Sequence, residues 1–209
     1  MLGFLLSLAA LAAVTLASAV LSQRKRSNGL ARRAAELGFA YAERHDELEA
    51  MLPEVARFGE LSAVHRARHA MRGVWHGTEM VVFDHGTGGG PADLAEARTT
   101  ALFLARDSAL PDFDLQPAGL GGPAEGDIPL PDSPWLDARV DLLGPDPAAV
   151  QAHFAGGRAR ALRRLPLHLG ARSGGGWLAV WKPGPRVAAE HLEEFLGEAT
   201  ALAAVLLAR

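Results

Sequence analysis

At 209 residues, with 49% of them hydrophobic and a mean hydropathy of +0.08, the chain carries enough apolar material for one core of ordinary domain size, which excludes global disorder. It contains no cysteine, so disulfides, thiolate catalysis, Cys-ligated zinc and iron–sulfur clusters are excluded. The formal net charge of −3 hides an asymmetry: Arg24, Lys25 and Arg26 precede every acidic residue, and removing these three from the 21 basic residues leaves 18 against 24 acids, a net of −6 that argues against a nucleic-acid partner.

Residues 2–21 read LGFLLSLAALAAVTLASAVL, with no charge before Arg24. Twenty residues at about 1.5 Å rise span about 30 Å, the thickness of a bilayer core. Ten of them are Leu, Phe or Val, and at roughly 0.3–0.6 kcal/mol each they favour insertion by about 3–6 kcal/mol. Ala17-Ser18-Ala19 resembles a signal-cleavage site, but a cleaved signal carries its positive charges before the apolar run. Here Arg24, Lys25, Arg26, Arg32 and Arg33 follow it. The positive-inside rule then predicts a retained single-pass anchor, residues 1–22, in the inner (plasma) membrane with the C-terminal domain in the cytoplasm.

Residues 23–53 read as a juxtamembrane helical neck, and 54–209 as the α+β domain. In the neck, Leu30, Ala34 and Leu37 share a helical face over 27–38, Gly38 is a natural stop, and Phe39-Ala40-Tyr41 follows as an extended piece. A second helix covers His45–Leu52, with Asp46 able to cap it and Pro53 ending it. Residues 63–75 and 78–85 read as a β-hairpin around His76-Gly77, with Met71 facing Val82 and His69 facing Asp84. Neither face of the first strand is cleanly apolar, which marks it as an edge. Strands follow at 98–105 and 113–117. Residues 118–134 hold four Pro, four Gly and the acids Glu125, Asp127 and Asp132, and read as a long surface loop.

A fifth strand is expected at 138–143, short helices at Pro147–Phe154 and Ala159–Leu165, and a second hairpin over 167–172 and 177–182 turning on Gly174-Gly175-Gly176. In the last helix Leu192, Phe195, Leu196, Ala199, Leu202, Ala203 and Leu206 follow i, i+3, i+4, i+7 spacing, with Glu190, Glu193, Glu194 and Glu198 opposite. Strands in a meander with helices after them predict an antiparallel sheet, with the long C-terminal helix packed on it, rather than a Rossmann-type fold.

The neck Arg33…Leu37-Gly38-Phe39-Ala40-Tyr41 and the hairpin end Val81-Val82-Phe83-Asp84 resemble an uncharacterised bacterial family of single-pass membrane-anchored α+β domains. That family carries an R-x-x-A-x-x-L-G-F-x-Y neck and a G-x-V-x-V-F-D-Y hairpin. Its later E-S-x-x-F-x-x-x-F-x-V segment survives here only as Ser133 and Val140. The resemblance implies fold and topology and brings no activity with it.

Few residues suggest chemistry. His69 opposite Asp84 forms a candidate oriented base, and His65, His69 and Asp84 a candidate metal site for a metal-assisted hydrolase; a cross-strand polar pair on a solvated face is the plainer reading. Gly86-Thr87-Gly88-Gly89-Gly90 follows a strand but lacks the Gly-Lys-Ser/Thr ending of a phosphate loop. Ser173 sits among glycines as turn chemistry. Arg158, Arg160, Arg163 and Arg164 suit anionic headgroups or a solvated helix face. Trp177 and Trp181 share a parity, which places them in one layer.

No catalytic, cofactor-binding or metal residue is assigned on this basis, and no cofactor is expected. The leading expectation is a membrane-tethered, non-enzymatic interaction or scaffold module that meets a protein partner through 118–134 or the apolar end of the last helix. A binding module for a lipid or other apolar small molecule under that helix is the alternative.

Overall fold

The computed structural model describes residues 21–55, 65–87, 98–105, 110–119 and 125–208. The predicted anchor therefore lies outside the described residues, except for Leu21. No helix among the described residues is long and apolar enough to cross a membrane.

The first described element is a helix, α1, over 21–36. It ends at Gly38, whose φ of 75° is the left-handed conformation that glycine adopts without a Cβ clash. The Phe39 N–H donates to the Ala34 carbonyl (2.8 Å) and the Gly38 N–H to that of Ala35 (3.2 Å), the paired bonds of a Schellman stop. The chain then reverses into β1 (Ala40–Arg44) and enters α2 (Asp46–Val55). β2 (His65–Trp75) and β3 (Thr78–Thr87) form the expected hairpin. His76 and Gly77 have φ of 47° and 83°, the two positive angles of a type I′ turn. β4 (Arg98–Leu104), β5 (Phe113–Pro117), α3 (Pro134–Asp137), β6 (Val140–Leu143), α4 (Pro147–His153) and α5 (Gly156–Leu162) follow. The hairpin β7 (Gly170–Gly174) and β8 (Trp177–Trp181) and the long α6 (Leu192–Leu207) complete the chain.

The strands form one eight-stranded sheet in the order β1-β2-β3-β4-β8-β7-β5-β6, with every pairing antiparallel. It is a meander only from β1 to β4, because the late hairpin β8–β7 inserts between β4 and β5. β2 is not an edge: β1 covers it, with Tyr41 opposite Met71 and Arg44 opposite Arg68. The mixed character of β2 reflects a bulge, described below, rather than exposure.

Both sheet faces are covered. On one face α1 and α6 lie over Met71, Met80, Val82, Ala101, Phe103, Leu178 and Val180. All seven apolar positions predicted for α6 are buried, and its five large ones contribute about 1.5–3 kcal/mol each. The end of α6 is thus core, not a free apolar surface. On the other face Leu48 and Leu52 of α2 pack on Ala67, Ala70, Phe83, Leu102 and Ala179, with Trp177 at the margin. Residues 23–53, read from the sequence as a neck, therefore supply a strand of the sheet and side chains to both core layers.

Loop 118–134 is tied down in part. Ile128 and Leu130 are buried, the Ile128 N–H donates to the Leu142 carbonyl (2.7 Å), and Asp127 accepts from the Leu142 N–H (2.7 Å). Arg158 does not sit on a solvated face. It donates to the carbonyls of His153, Val205 and Ala208 and so caps the C-terminal end of α6. Ser173 bridges strands, donating to the Pro111 carbonyl and accepting from the Phe113 N–H.

His153 is buried against Phe113 (ring centroids 5.7 Å apart) and Phe154, and its Nε2 has no hydrogen-bond partner. Burial, helped by the nearby Arg158 cation, pushes it from 6.5 down to about 4. The unfolded chain therefore takes up this proton before the folded one, so the stability His153 contributes is complete above pH 6.5 and is lost as the pH falls from 6.5 towards 4, by up to about 3 kcal/mol. The urea midpoint should fall across that window, and His153→Leu should flatten the fall. An unchanged pH slope in that variant would exclude His153 as its source.

Candidate functional site

The most concentrated polar chemistry lies where α1 crosses the ends of β2, β3 and β4. Asp84 shares its parity on β3 with Met80 and Val82, so its carboxylate points into the core layer and is only 2% exposed. A lone buried carboxylate is costly and requires a cation. Arg26 supplies it from the second turn of α1. Its Nε donates to Asp84 Oδ2 (2.8 Å) and its Nη2 to Oδ1 (2.7 Å), a bidentate pair, while Nη1 donates to the Val187 carbonyl (2.9 Å). The Thr99 hydroxyl donates to Asp84 Oδ1 (3.1 Å) and accepts from the Val187 N–H (2.9 Å). Arg186 Nη1 stands 3.8 Å from Asp84 Oδ2, and burial holds its pKa below the usual value. One carboxylate thus joins α1, β3, β4 and the segment before α6.

His69 stands beside this pair without joining it. The predicted register holds from Met71–Val82 to Trp75–Thr78, but an extra residue shifts β2 between Arg68 and Met71, so that Arg68, not His69, faces Asp84. His69 sits in this bulge with φ of 53°, a conformation uncommon for a residue with a Cβ. Its Nδ1 is 2.8 Å from the Tyr41 hydroxyl, which is 2.9 Å from Ser27 Oγ on α1. Its Nε2 is buried and unpaired. Burial is the main cause of its lowered pKa, offset in part by Asp84, so the ring is neutral near pH 7. Burial likewise raises Tyr41.

Of the candidate metal triad only His69 and Asp84 have described side chains, and Asp84 is bonded to Arg26 and Thr99 rather than to His69. The backbone of His65 pairs with Thr87, three rungs from the Arg68–Asp84 pair. Among the described residues no group of three or more His, Asp or Glu converges to hold a metal. Asp84 cannot orient His69 as a base either, because its oxygens are taken by Arg26 and Thr99. The glycine run 86–90 lies mostly outside the described residues. Trp177 and Trp181 share a sheet face, as their parity predicted, and Arg172 lies over the Trp181 ring (5.7 Å) while pairing with Asp114.

Sequence reasoning missed Arg26, Tyr41, Thr99 and Arg186. Arg26 reads as one of three basic residues flanking an apolar segment, and nothing local ties it to a strand 58 residues later. One signal was available: an acid in register with Met80 and Val82 falls on a buried face and implies a partner.

Beneath α6 the space among Ala34, Phe39, Met71, Val82, Leu192 and Leu196 has no room for a water molecule. On the outer flank of α6, Leu165, Pro166, Leu169, Gly197, Ala201 and Leu202 line an open cleft of about 220 Å³.

No protein-family model matches this sequence, and no curated protein does. Among solved structures the chain is similar to the mycobacterial trehalose monomycolate transport factor A, TtfA, with a TM-score of 0.57 and 19% identity over 88% of this chain and 95% of that one. At that identity the likeness is one of fold.

Removing one partner of a buried ion pair strands the other charge. Asp84→Asn should therefore cost about 3–5 kcal/mol of stability. The double variant Arg26→Met/Asp84→Leu should recover most of that loss in thermal unfolding of the detergent-solubilised chain. An Asp84→Asn protein as stable as the parent would show that the pair does not hold α1.

Proposed function

We propose that this chain is a membrane-tethered, non-enzymatic module of the cytoplasmic face, which presents its α+β domain to a protein partner in an envelope assembly. The observation that carries the reading is the Arg26–Asp84 latch. Helix α1, which follows the apolar segment 2–21 in sequence, is bolted to the ends of β3 and β4 five residues after Leu21. Such a junction transmits the position of an anchor to the domain, whereas a flexible linker would not. The likeness of fold to a mycobacterial trehalose monomycolate transport factor is compatible with this reading. With the end of α6 buried, the partner surface is assigned to the exposed acids Glu125, Asp132 and Asp137 around loop 118–134.

The apolar-ligand reading has less support. Small-molecule pockets run from about 300 to 1,000 Å³ and enclose most of the ligand. The flank cleft, at about 220 Å³, is smaller and open.

Membrane fractionation with protease access tests the tether and its direction. The full chain should stay in the pellet through an alkaline carbonate wash, and its domain should resist protease added to intact spheroplasts but not to inverted vesicles. Release by carbonate contradicts the anchor. Digestion in spheroplasts contradicts the cytoplasmic placement.

A further inference from the structure

His69 ties β2 to α1 through a chain of neutral hydrogen bonds. Its Nδ1 meets the Tyr41 hydroxyl, and that hydroxyl meets Ser27 Oγ, one residue past Arg26. The ring is 1% exposed and stacks on Tyr41 with the centroids 6.2 Å apart. Its Nε2 is buried without a partner. The arrangement that leaves no buried donor idle has Nδ1–H donating to Tyr41, the Tyr41 O–H donating to Ser27, and a bare lone pair on Nε2. A proton added at Nε2 creates a buried, charged N–H with no acceptor, which is costly. The surroundings do not favour a cation. Among the described residues, the charges that act on the ring are Asp84 of β3, Arg26 of α1, Glu43 of β1 and Arg186 before α6. Asp84 already faces two guanidiniums, and the Nη1 of Arg186 is itself buried without a hydrogen-bond partner. Glu43 is exposed at the edge of the sheet. Burial, offset only in part by Asp84, therefore holds the docked ring below 6.5.

We propose that His69 is a proton-operated release for α1: protonating its imidazole undocks the N-terminal half of that helix, through Leu30, while the sheet and α6 stay folded. The inference deepens the functional reading, whose rigid junction loosens in acid, but it rests on the Arg26 latch and not on the anchor. Residues 21–29 contain no fully buried side chain, so the bonds of Arg26 and Ser27 hold this stretch to the sheet. It therefore yields before the strands, which keep their ladders, or α6, which keeps its apolar face. Undocking frees Tyr41 from Ser27 and opens the His69 ring to water, where the imidazolium is solvated. Docking is thus complete above pH 6.5 and weakens as the pH falls below it, because the undocked state binds the proton first.

Because the chain has no cysteine, a single introduced thiol reports each element. Leu30→Cys reports α1 and Ala203→Cys reports α6, both at buried positions. Each is placed in a His153→Leu background, which removes the acid sensitivity of the core, and the detergent-solubilised full chain is labelled with a pyridyl disulfide. Rates are divided by those of the same chain in urea at the same pH, so that the thiol's own titration cancels. One proton taken up on undocking shifts the opening equilibrium by about tenfold for each pH unit below 6.5. From pH 7.5 to 5.5 the relative rate at position 30 should therefore rise by up to about tenfold, and the rate at 203 should stay level. His69→Asn suits the left-handed backbone angle, and His69→Phe keeps a ring in place. Neither side chain takes up the proton, so both variants should abolish the rise at 30, with continued protection at 203 showing that they are folded. A level rate at 30 in the parent, an equal rise at 203, or a rise that survives the His69 variants overturns the proposal. A chain protected at 30 at both pH values keeps the latch and the functional reading and loses only the switch. A chain as reactive at 30 at pH 7.5 as in urea has no latch, and the functional reading falls with the switch.

Discussion

A buried carboxylate can be kept only where a cation is brought to it, and in this protein that constraint falls on Asp84. The need is met from outside the sheet, by Arg26 on a helix 58 residues earlier in the chain. Because Arg26 binds both oxygens and also the Val187 carbonyl, α1 has one position relative to β3, β4 and the approach to α6. Hydrophobic residues of matching shape would hold the helix as strongly, since burying charges consumes most of what their attraction returns. Directional bonding adds register: an apolar stripe such as Leu30–Ala34 tolerates a slide or rotation that a bidentate pair does not.

The same crossing point is where the regular sheet is interrupted. The extra residue at His69 places Arg68 opposite Asp84 in the strand register and leaves His69 bonded through Tyr41 to Ser27 of α1. A second, neutral bridge therefore lies beside the charged one. A positive φ at a non-glycine residue is retained where surrounding contacts over-determine it, and here the Tyr41 bond and the burial of the ring do so.

The elements set by local chemistry were legible in the sequence. The apolar stripe of α6, the Gly38 stop and the His76-Gly77 turn each follow from a periodicity or from a backbone angle that few residues adopt. What could not be read was long-range: the insertion of β8–β7 between β4 and β5, the covering of β2 by β1, and the bulge that shifts the register by one. A bulge leaves no mark in the pattern of a strand whose residues HRARHAM alternate poorly to begin with. His69 and Asp84 were correctly singled out as polar residues brought near one another, but the relation between them was misassigned. The cation that satisfies Asp84 sits in a run whose charge had a sufficient explanation in the membrane flank.

A latch that fixes α1 makes that helix and the domain a single rigid body, and the functional reading depends on that rigidity. The direct test is a spin-label distance measurement on the full chain in a bilayer, between Gln23→Cys at the start of α1 and Glu79→Cys at the far hairpin. A single narrow distance distribution is predicted. A broad or multimodal distribution would mean that α1 swings on the domain, and would contradict the account.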